Sequence, residues 1–368
     1  MCNFIYFNIK SLLRKKLFFI PVILIFVSIL GIYFGNTQAA SHSNLKTFAE
    51  ADYTYNKEQA KKDSTFLNDK FIKHRMHHEK KTIISFRNKQ WSQAAHHSKF
   101  TTNQDIKSLK KAGRSETDII NLVNQKTILS YVEKHNVYPE ISGFGITGFN
   151  FLYDVLTVYF PWFWFAILIF ILIPIFTSRF QKGKNTDNLI PHSNVKLDSY
   201  RAVSAYIVAL TIYLFILLIA FGIAGIFNGF GDPNFPIILQ GETIGLTKPV
   251  YEMILKSMIL QILSIMFAIS IGQLISNFSK SEMLSAFSTV LIMLLQVISP
   301  FTFSFMNSII QFIPGVYVNA PNILNNYLSF TTKNNNLIFT NGVMILMLST
   351  MIVWFCNISY NQISHLHE

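Results

Sequence analysis

Long apolar runs recur along this 368-residue chain and are separated by polar stretches of very unequal length. A helix needs about 20 apolar residues to cross the hydrocarbon core of a bilayer, and six runs are long enough. They predict transmembrane helices at 17–34, 155–177, 202–227, 251–275, 283–305 and 337–357. None of these runs carries a charge at its centre. The pattern therefore predicts an all-α integral membrane protein with six spans.

The polar segments complete the predicted organisation. Residues 1–16 alternate apolar and basic positions at helical spacing, which predicts an amphipathic helix in the cytoplasmic membrane interface. A basic flank that only sets the topology explains the same pattern. The remaining segments are predicted as loops at 178–201, 228–250, 276–282 and 306–336 and a tail at 358–368.

Lysine and arginine residues concentrate in alternate loops. If residue 1 is cytoplasmic, the short inner segments hold Lys10, Arg14, Lys15, Lys16, Arg179, Lys182, Lys184, Lys196, Arg201 and Lys280. The short outer loops hold only Lys248 and Lys333, with Lys256 at a helix end. Because basic residues accumulate on the cytoplasmic side, both termini are predicted to be cytoplasmic.

Residues 35–154 form the longest polar segment and are predicted to be an extracellular helical insertion between the first two spans. Good helix formers are common there, and no proline occurs between Pro21 and Pro139. Its net basic charge does not oppose this placement, because long loops cross the membrane largely regardless of charge. The first apolar run also resembles a signal peptide followed by Ala39 and Ala40, but its length favours an uncleaved span.

Composition supports the membrane assignment and narrows the function. Hydrophobic residues make up 51% of the chain and charged residues 14%, whereas about 25% is typical of soluble domains. The net charge of +12 does not indicate nucleic-acid binding, because the basic residues lie between apolar runs. The chain has only two cysteines, Cys2 and Cys356, which fit neither a disulfide framework nor a metal motif.

The insertion contains a group of histidines with possible metal chemistry. His74, His77 and His78 fall on adjacent turns of a predicted helix, so two imidazoles could share a metal ion. A solvated basic face is the favoured alternative. No Ser/His/Asp set or carboxylate pair stands out within the spans, so the chain is not predicted to be an enzyme.

Four residues in the spans are candidates for a substrate pathway. Trp162 lies in an aromatic cluster near the predicted outer interface, where an interfacial belt is the favoured alternative to a substrate platform. Ser285, Ser288 and Gln296 are uncharged polar residues of span five, which must face protein or water. Hydrogen bonds between helices would explain them equally well.

The loop after span two carries a resemblance to a known family. It contains Leu189, Pro191 and Ser193, followed by Tyr200 and Arg201 where the helix resumes. This pattern, the amphipathic start and the six spans resemble ABC-2 type transporter permeases of low-GC Gram-positive bacteria. The acidic residue and Gly-Thr usual before this loop are absent, and the insertion after span one is large.

The resemblance implies a function that depends on partners. In such permeases the loop after span two is similar to a coupling helix that docks on a separate ATPase subunit, which here implicates Leu189, Pro191, Ser193 and Tyr200. It also implies a second permease copy, as a homodimer or heterodimer, in a bacterial plasma membrane. The chain has no phosphate-loop motif, so ATP and Mg²⁺ would be bound by the partner ATPase and no cofactor by this chain.

The sequence thus predicts the permease subunit of an ATP-binding cassette exporter whose substrate is a peptide, a lipid-linked molecule or an antimicrobial compound. A membrane-anchored sensor or immunity protein that binds a ligand through its extracellular helices is the alternative. An intramembrane enzyme is the third possibility.

Overall fold

The computed structural model describes residues 2–62, 70–140, 143–181, 184–189, 193–241 and 245–367. These residues are mostly helical, with two short antiparallel ribbons. The helices are α1 (Cys2–Arg14), α2 (Lys16–His42), α3 (Leu45–Lys62), α4 (Lys70–Arg87), α5 (Trp91–Lys111), α6 (Glu116–His135), α7 (Gly148–Asp154), α8 (Phe165–Thr177), α9 (Asn194–Asn228), α10 (Val250–Ser279), α11 (Glu282–Thr302), α12 (Ala320–Leu324), α13 (Tyr327–Thr332) and α14 (Phe339–His367). A π-helical segment, Val155–Trp164, joins α7 to α8.

Six helical stretches of the described chain are long and apolar enough to cross a membrane. They are Phe18–Lys62, Gly148–Thr177, Asn194–Asn228, Val250–Ser279, Glu282–Thr302 and Phe339–Gln362. The length and composition of these helices confirm the prediction of a helical, multi-pass membrane protein. Several helices are longer than the apolar runs, and α9 begins at Asn194 instead of residue 202. Polar residues can extend a helix beyond the hydrocarbon because its backbone hydrogen bonds are internal.

The chain divides into two compact units. Unit one comprises Met1–Leu30, Val155–Ala220 and Met253–Glu368, and unit two comprises Gly31–Asp154 and Phe221–Glu252. Four of the long helical stretches contribute residues to both units.

Helices α3 to α6 of unit two pack on one another in sequence order. Small and branched residues form their core, including Ala94, Ala95, Ile106, Leu129 and Val132. Arg75 ties three helices together, because it donates to Glu79 at 2.9 Å, to Asp52 at 3.1 Å and to Asp105. The helical character predicted for this segment is confirmed in its described residues; its extracellular location stays a prediction.

The connection from α6 to α7 is organised by a buried carboxylate. Glu140 accepts hydrogen bonds from the Ile146 amide at 3.0 Å, the Thr147 amide at 3.2 Å and the Thr147 hydroxyl. Burial raises the pKa of Glu140, although these donors lower it. A Cβ at Gly145 would lie 2.5 Å from the backbone of Asn150, so only glycine allows this close approach.

The two ribbons lie in loops that were predicted without strands. The strands β1 (Phe180–Gln181) and β2 (Lys184–Asn185) pair after the second span, and β3 (Pro236–Ile238) pairs with β4 (Thr247–Pro249) after the third. Two or three residues per strand carry too little alternation to be recognised in sequence.

In unit one, α8 packs closely against α10 and α11. A methyl group added at Gly272 of α10 would lie 2.8 Å from Ile173 Cδ1 of α8, so the small residue permits the helices to approach. Residues 303–338, between α11 and α14, include short helical pieces whose Val316, Tyr317 and Val318 are fully buried. Residues 306–336 were predicted to be an extracellular loop; much of that stretch packs against α11 and the π-helical segment.

Candidate functional site

The described residues of the loop after the second span, 178–181, 184–189 and 193, are structured. It turns through β1 and β2, continues into a 3₁₀ turn at Thr186–Leu189 and enters α9 at Asn194. Asp187 is the acidic residue of the 3₁₀ turn and is 1% exposed. The loop therefore contributes a charge to the protein interior.

Four buried charges meet beneath this loop, and we call them the charge network. They are Arg179, Asp187, Asp198 and Arg201, each at most 4% exposed. Arg201 donates through both terminal nitrogens to the two oxygens of Asp187. Arg179 donates to Asp198 and, at 3.4 Å, to Asp187. The two positive and two negative groups alternate, which compensates each charge in the interior.

Amide side chains from two further helices complete the charge network. Asn277 of α10 accepts from Arg179, and Asn361 of α14 donates to Asp198. The Asn277 amide group also donates to Asn357 Oδ1 at 3.3 Å. A loop residue, the end of α8 and the helices α9, α10 and α14 are thus connected through one set of polar contacts.

The cost of burying charges favours a rigid connection between the loop and the helices that the charge network joins. Removing charges from water costs several kcal/mol per ion, and only good pairing offsets it. If one member moves away, its partner remains buried and unpaired, which typically costs about 3–5 kcal/mol. We therefore expect the loop and the helix ends that it contacts to move together.

Helix α1 packs across the charge network with its apolar face. The guanidinium carbon of Arg201 lies 5.5 Å from the centre of the Phe4 ring, and the ring of Tyr200 is 6.1 Å from that of Phe4. Asn8 donates to the Ser204 hydroxyl at 3.4 Å, and Leu12 is buried. The predicted amphipathic helix is therefore present, and its interfacial membrane position stays a prediction.

Three of the four predicted coupling residues, Leu189, Ser193 and Tyr200, fall within the described part of the chain. Leu189 ends the 3₁₀ turn, and Pro191 lies outside the described residues. Ser193 is exposed, and its carbonyl accepts from the amides of Lys196 at 2.9 Å and Leu197 at 3.2 Å in the first turn of α9. Tyr200 is half-buried against α1.

The charge network itself was not predicted as a site from the sequence. Arg201 was noted at the start of span three and Arg179 only for topology, whereas Asp187 and Asp198 were not singled out. The available signal was Asp198 and Arg201 three residues apart at a helix start. The partners Arg179 and Asp187 are brought to them by the β1–β2 turn, which sequence spacing does not reveal.

The candidate pathway residues are spread over α11 and the π-helical segment. Ser285 is buried and lies 2.6 Å from the Ser279 hydroxyl, while Ser288 is half-buried. Gln296 accepts from the Gly315 amide at 2.8 Å and so holds the segment after α11. Trp162 is half-buried, with its ring 6.1 Å from that of Phe301. The structure therefore does not gather these four residues at one point.

A second polar centre of unit one surrounds Gln261. Its amide nitrogen donates to the carbonyls of Leu156 at 2.9 Å and Val318 at 3.2 Å, and its oxygen accepts from the Tyr213 hydroxyl at 3.0 Å. In a π-helix the Leu156 carbonyl would accept from the amide five residues later. That residue is Pro161, which has no N–H group. Gln261 supplies the missing donor.

The histidines of unit two form a cluster that extends beyond the predicted three. Nδ1 of His78 lies 3.1 Å from Nδ1 of His97, and the His78 ring stacks on Phe100 at 3.8 Å. The ring of His74 stacks on that of His78, with 4.9 Å between the ring centres, and the centre of the His77 ring is 5.9 Å from that of His78. Within the described residues no three His, Cys, Asp or Glu side chains are placed to hold one metal ion.

This cluster predicts a pH-dependent stability. Burial, followed by the charges of neighbouring histidines, lowers the pKa of His78 to about 4 from 6.5. Between pH 4 and pH 6.5, His78 binds a proton in the unfolded chain but not in the folded chain. The contribution of neutral His78 to stability is therefore fully present above pH 6.5 and is lost as the pH falls towards 4. We expect a loss on the order of 1–2 kcal/mol, because solvent screens a partly exposed group. Hydrogen exchange of α4 and α5 in the full chain, corrected for intrinsic rates, measures it.

The control is His78→Phe, which keeps an aromatic ring against Phe100 but cannot be protonated. We expect it to remove the larger part of the pH dependence of exchange, leaving a smaller part from His97, whose pKa burial also lowers, while protection at neutral pH stays similar. An equal pH dependence in the variant and the parent would contradict the assignment to His78.

No protein-family model matches this sequence, and comparisons with curated proteins and with solved structures found no significant match.

Proposed function

We propose that the chain is the permease subunit of an ATP-binding cassette transporter, driven by a separate ATPase that docks on the loop after the second span. The observation that supports this proposal best is the attachment of that loop to the three helices α9, α10 and α14 through the charge network. A force applied at Asp187 would reach α9 directly through Arg201, and α14 through Arg179, Asp198 and Asn361. This is the property that a coupling element needs.

The position of the exposed residues agrees with a docking role. Ser193 is exposed at the start of α9, next to the buried Asn194. Lys196 is also exposed, whereas Leu197 and Asp198 face the interior. One side of this helix start is therefore free to meet a partner, while the other is fixed to the protein.

The remaining parts of the proposal concern partners and location. ATP and Mg²⁺ would be bound by the ATPase, because this sequence lacks a phosphate-loop motif. A second permease copy would complete the translocation pathway in a bacterial plasma membrane, with both termini and the loop on the cytoplasmic side. The substrate would be a peptide, a lipid-linked molecule or an antimicrobial compound, exported past the helical insertion.

Two loop variants test the coupling. Leu189→Asp should impair assembly with the ATPase by at least about tenfold in affinity, because it puts a charge into a desolvated contact. Pro191→Gly should preserve assembly but reduce transport per ATP hydrolysed, because it loosens the backbone. Co-purification with the ATPase encoded nearby, followed by ATP turnover and transport in vesicles, measures both effects.

Ser281→Asp is the matched control, because it adds a charge to the exposed short loop after the fourth span. It should assemble and transport like the parent. If Leu189→Asp and Pro191→Gly also behave like the parent, the loop is only a connector and the proposal fails.

A sensor or immunity protein is the second candidate function. The observation that favours it is the packed group α3–α6, which has its own buried core and its own ion pairs around Arg75. Such a bundle can present a ligand surface without any transport. In that case the full chain would retain ligand binding but would not co-purify with an ATPase.

A further inference from the structure

Two adjoining cavities of unit one lie along α8, the first against α1 and the second against the end of α1 and the start of α2. The first has a volume of about 290 Å³, and polar side chains form much of its wall. Asn8 and Ser11 enter it from α1, Ser178 from the end of α8 and Thr186 from the loop. Arg179, Arg201 and Asp187 of the charge network also line it, so one carboxylate that is paired with both arginines belongs to its wall.

The second cavity is mostly apolar and has a volume of about 510 Å³. Its walls include Phe18, Pro21, Phe170 and Ile171. Leu12, Lys15 and Pro174 line both cavities, so the two adjoin. Each volume is of the size of a ligand site of roughly 300–1,000 Å³.

The two cavities form a gradient of polarity along the second span. From Ser178 to Phe170 the helix advances about 12 Å, given its rise of 1.5 Å per residue. In the predicted topology this direction runs from the cytoplasmic membrane surface into the hydrocarbon. A polar chamber at headgroup depth that adjoins an apolar chamber fits an amphiphile better than a water-soluble molecule.

The polar chamber has donors suited to a phosphate group. Arg179 and Arg201 line the chamber, and the Nε atom of each is buried beside it without a hydrogen-bond partner among the residues that the structure describes; these two atoms are closed off from the open volume. A buried donor left unpaired is costly, and guanidinium groups match phosphate well. Lys15 adds a cation at the boundary of the chambers; its pair with Glu282 at 3.5 Å is partly exposed, so it opens at little cost.

We propose that this double cavity binds one anionic phospholipid. Its phosphate would lie among Lys15 and the two arginines, and an acyl chain would follow Phe170 and Pro21. The site goes beyond the proposed transport function and does not depend on it. A bound lipid would fasten α1 to the end of α8, next to the charge network.

The test is native mass spectrometry of the full chain in a neutral detergent. Phosphatidylglycerol should bind with a stoichiometry of one and more tightly than phosphatidylcholine. Lys15→Gln should weaken phosphatidylglycerol binding about tenfold, the effect of one charge-assisted hydrogen bond. Arg14→Gln is the matched control, because it removes the neighbouring charge outside both cavities and should change binding less than about twofold.

A further variant separates binding from damage to the fold. Glu282→Gln removes an anion from the apolar chamber and should strengthen phosphatidylglycerol binding. If the Lys15–Glu282 pair were purely structural, Lys15→Gln and Glu282→Gln would both weaken that binding. Equal binding of the two lipids, or equal losses in Lys15→Gln and Arg14→Gln, would overturn the proposal. So would displacement of bound lipid by inorganic phosphate at similar concentration, since the headgroup alone would then suffice.

Discussion

Replacing Asp187 with alanine should lower the free energy of unfolding of the purified protein by about 3–5 kcal/mol. Asp187 accepts from both terminal nitrogens of Arg201 and from Arg179. Without it, two buried guanidinium groups share the single carboxylate of Asp198. Chemical unfolding in mixed detergent micelles, compared between variant and parent, measures the loss.

Two controls distinguish a buried network from ordinary surface pairing. Glu282→Ala removes a carboxylate that is 54% exposed and paired with Lys15, and should cost less than about 1 kcal/mol. Asp187→Leu combined with Arg201→Met removes one charge of each sign, and should recover much of the stability lost in Asp187→Ala. If Asp187→Ala is no more damaging than Glu282→Ala, the charge network does not stabilise this junction.

The second large effect is expected at Gln261. Gln261→Leu should cost about 2–3 kcal/mol, because it removes three hydrogen bonds in an environment where few replacements exist. The Leu156 carbonyl would lose the donor that compensates for Pro161, and the Tyr213 hydroxyl would lose its acceptor. Faster hydrogen exchange should follow within Val155–Trp164, besides the lower unfolding free energy.

Ser264→Ala provides the matched control on the same helix. The Ser264 hydroxyl donates only to its own helix, at the Leu260 carbonyl 2.8 Å away, so its loss should cost less than about 1 kcal/mol. If Gln261→Leu affects the unfolding free energy and the hydrogen exchange of the π-helical segment no more than Ser264→Ala does, Gln261 does not hold that segment.

The span pattern could be predicted from the sequence because it is a local property. Twenty consecutive apolar residues have little alternative to forming a helix that lipid or protein covers. The same reasoning predicted α1, whose Leu12 is buried, from basic and apolar residues at helical spacing. The neighbouring Leu13 is 44% exposed, because the packing partner decides which apolar residues of the helix become buried.

The histidine cluster shows how far spacing alone can go. His74, His77 and His78 were grouped correctly on adjacent turns of one helix, because that grouping depends only on helical periodicity. His97 belongs to the same cluster but comes from α5, and its Nδ1 is 3.1 Å from that of His78. The register between two packed helices determines this contact, and no sequence interval encodes it directly.

The sequence by itself determined the number of apolar helices and the helical nature of the described part of the long insertion. Each depends on composition or periodicity within one segment. The tertiary structure alone decided that Asp187 pairs with Arg201, that Asn361 reaches Asp198, and that Gln261 bonds to Leu156, 105 residues away. Buried polar groups must find partners wherever the fold places them. Their identity is therefore a property of packing and cannot be derived from the local sequence.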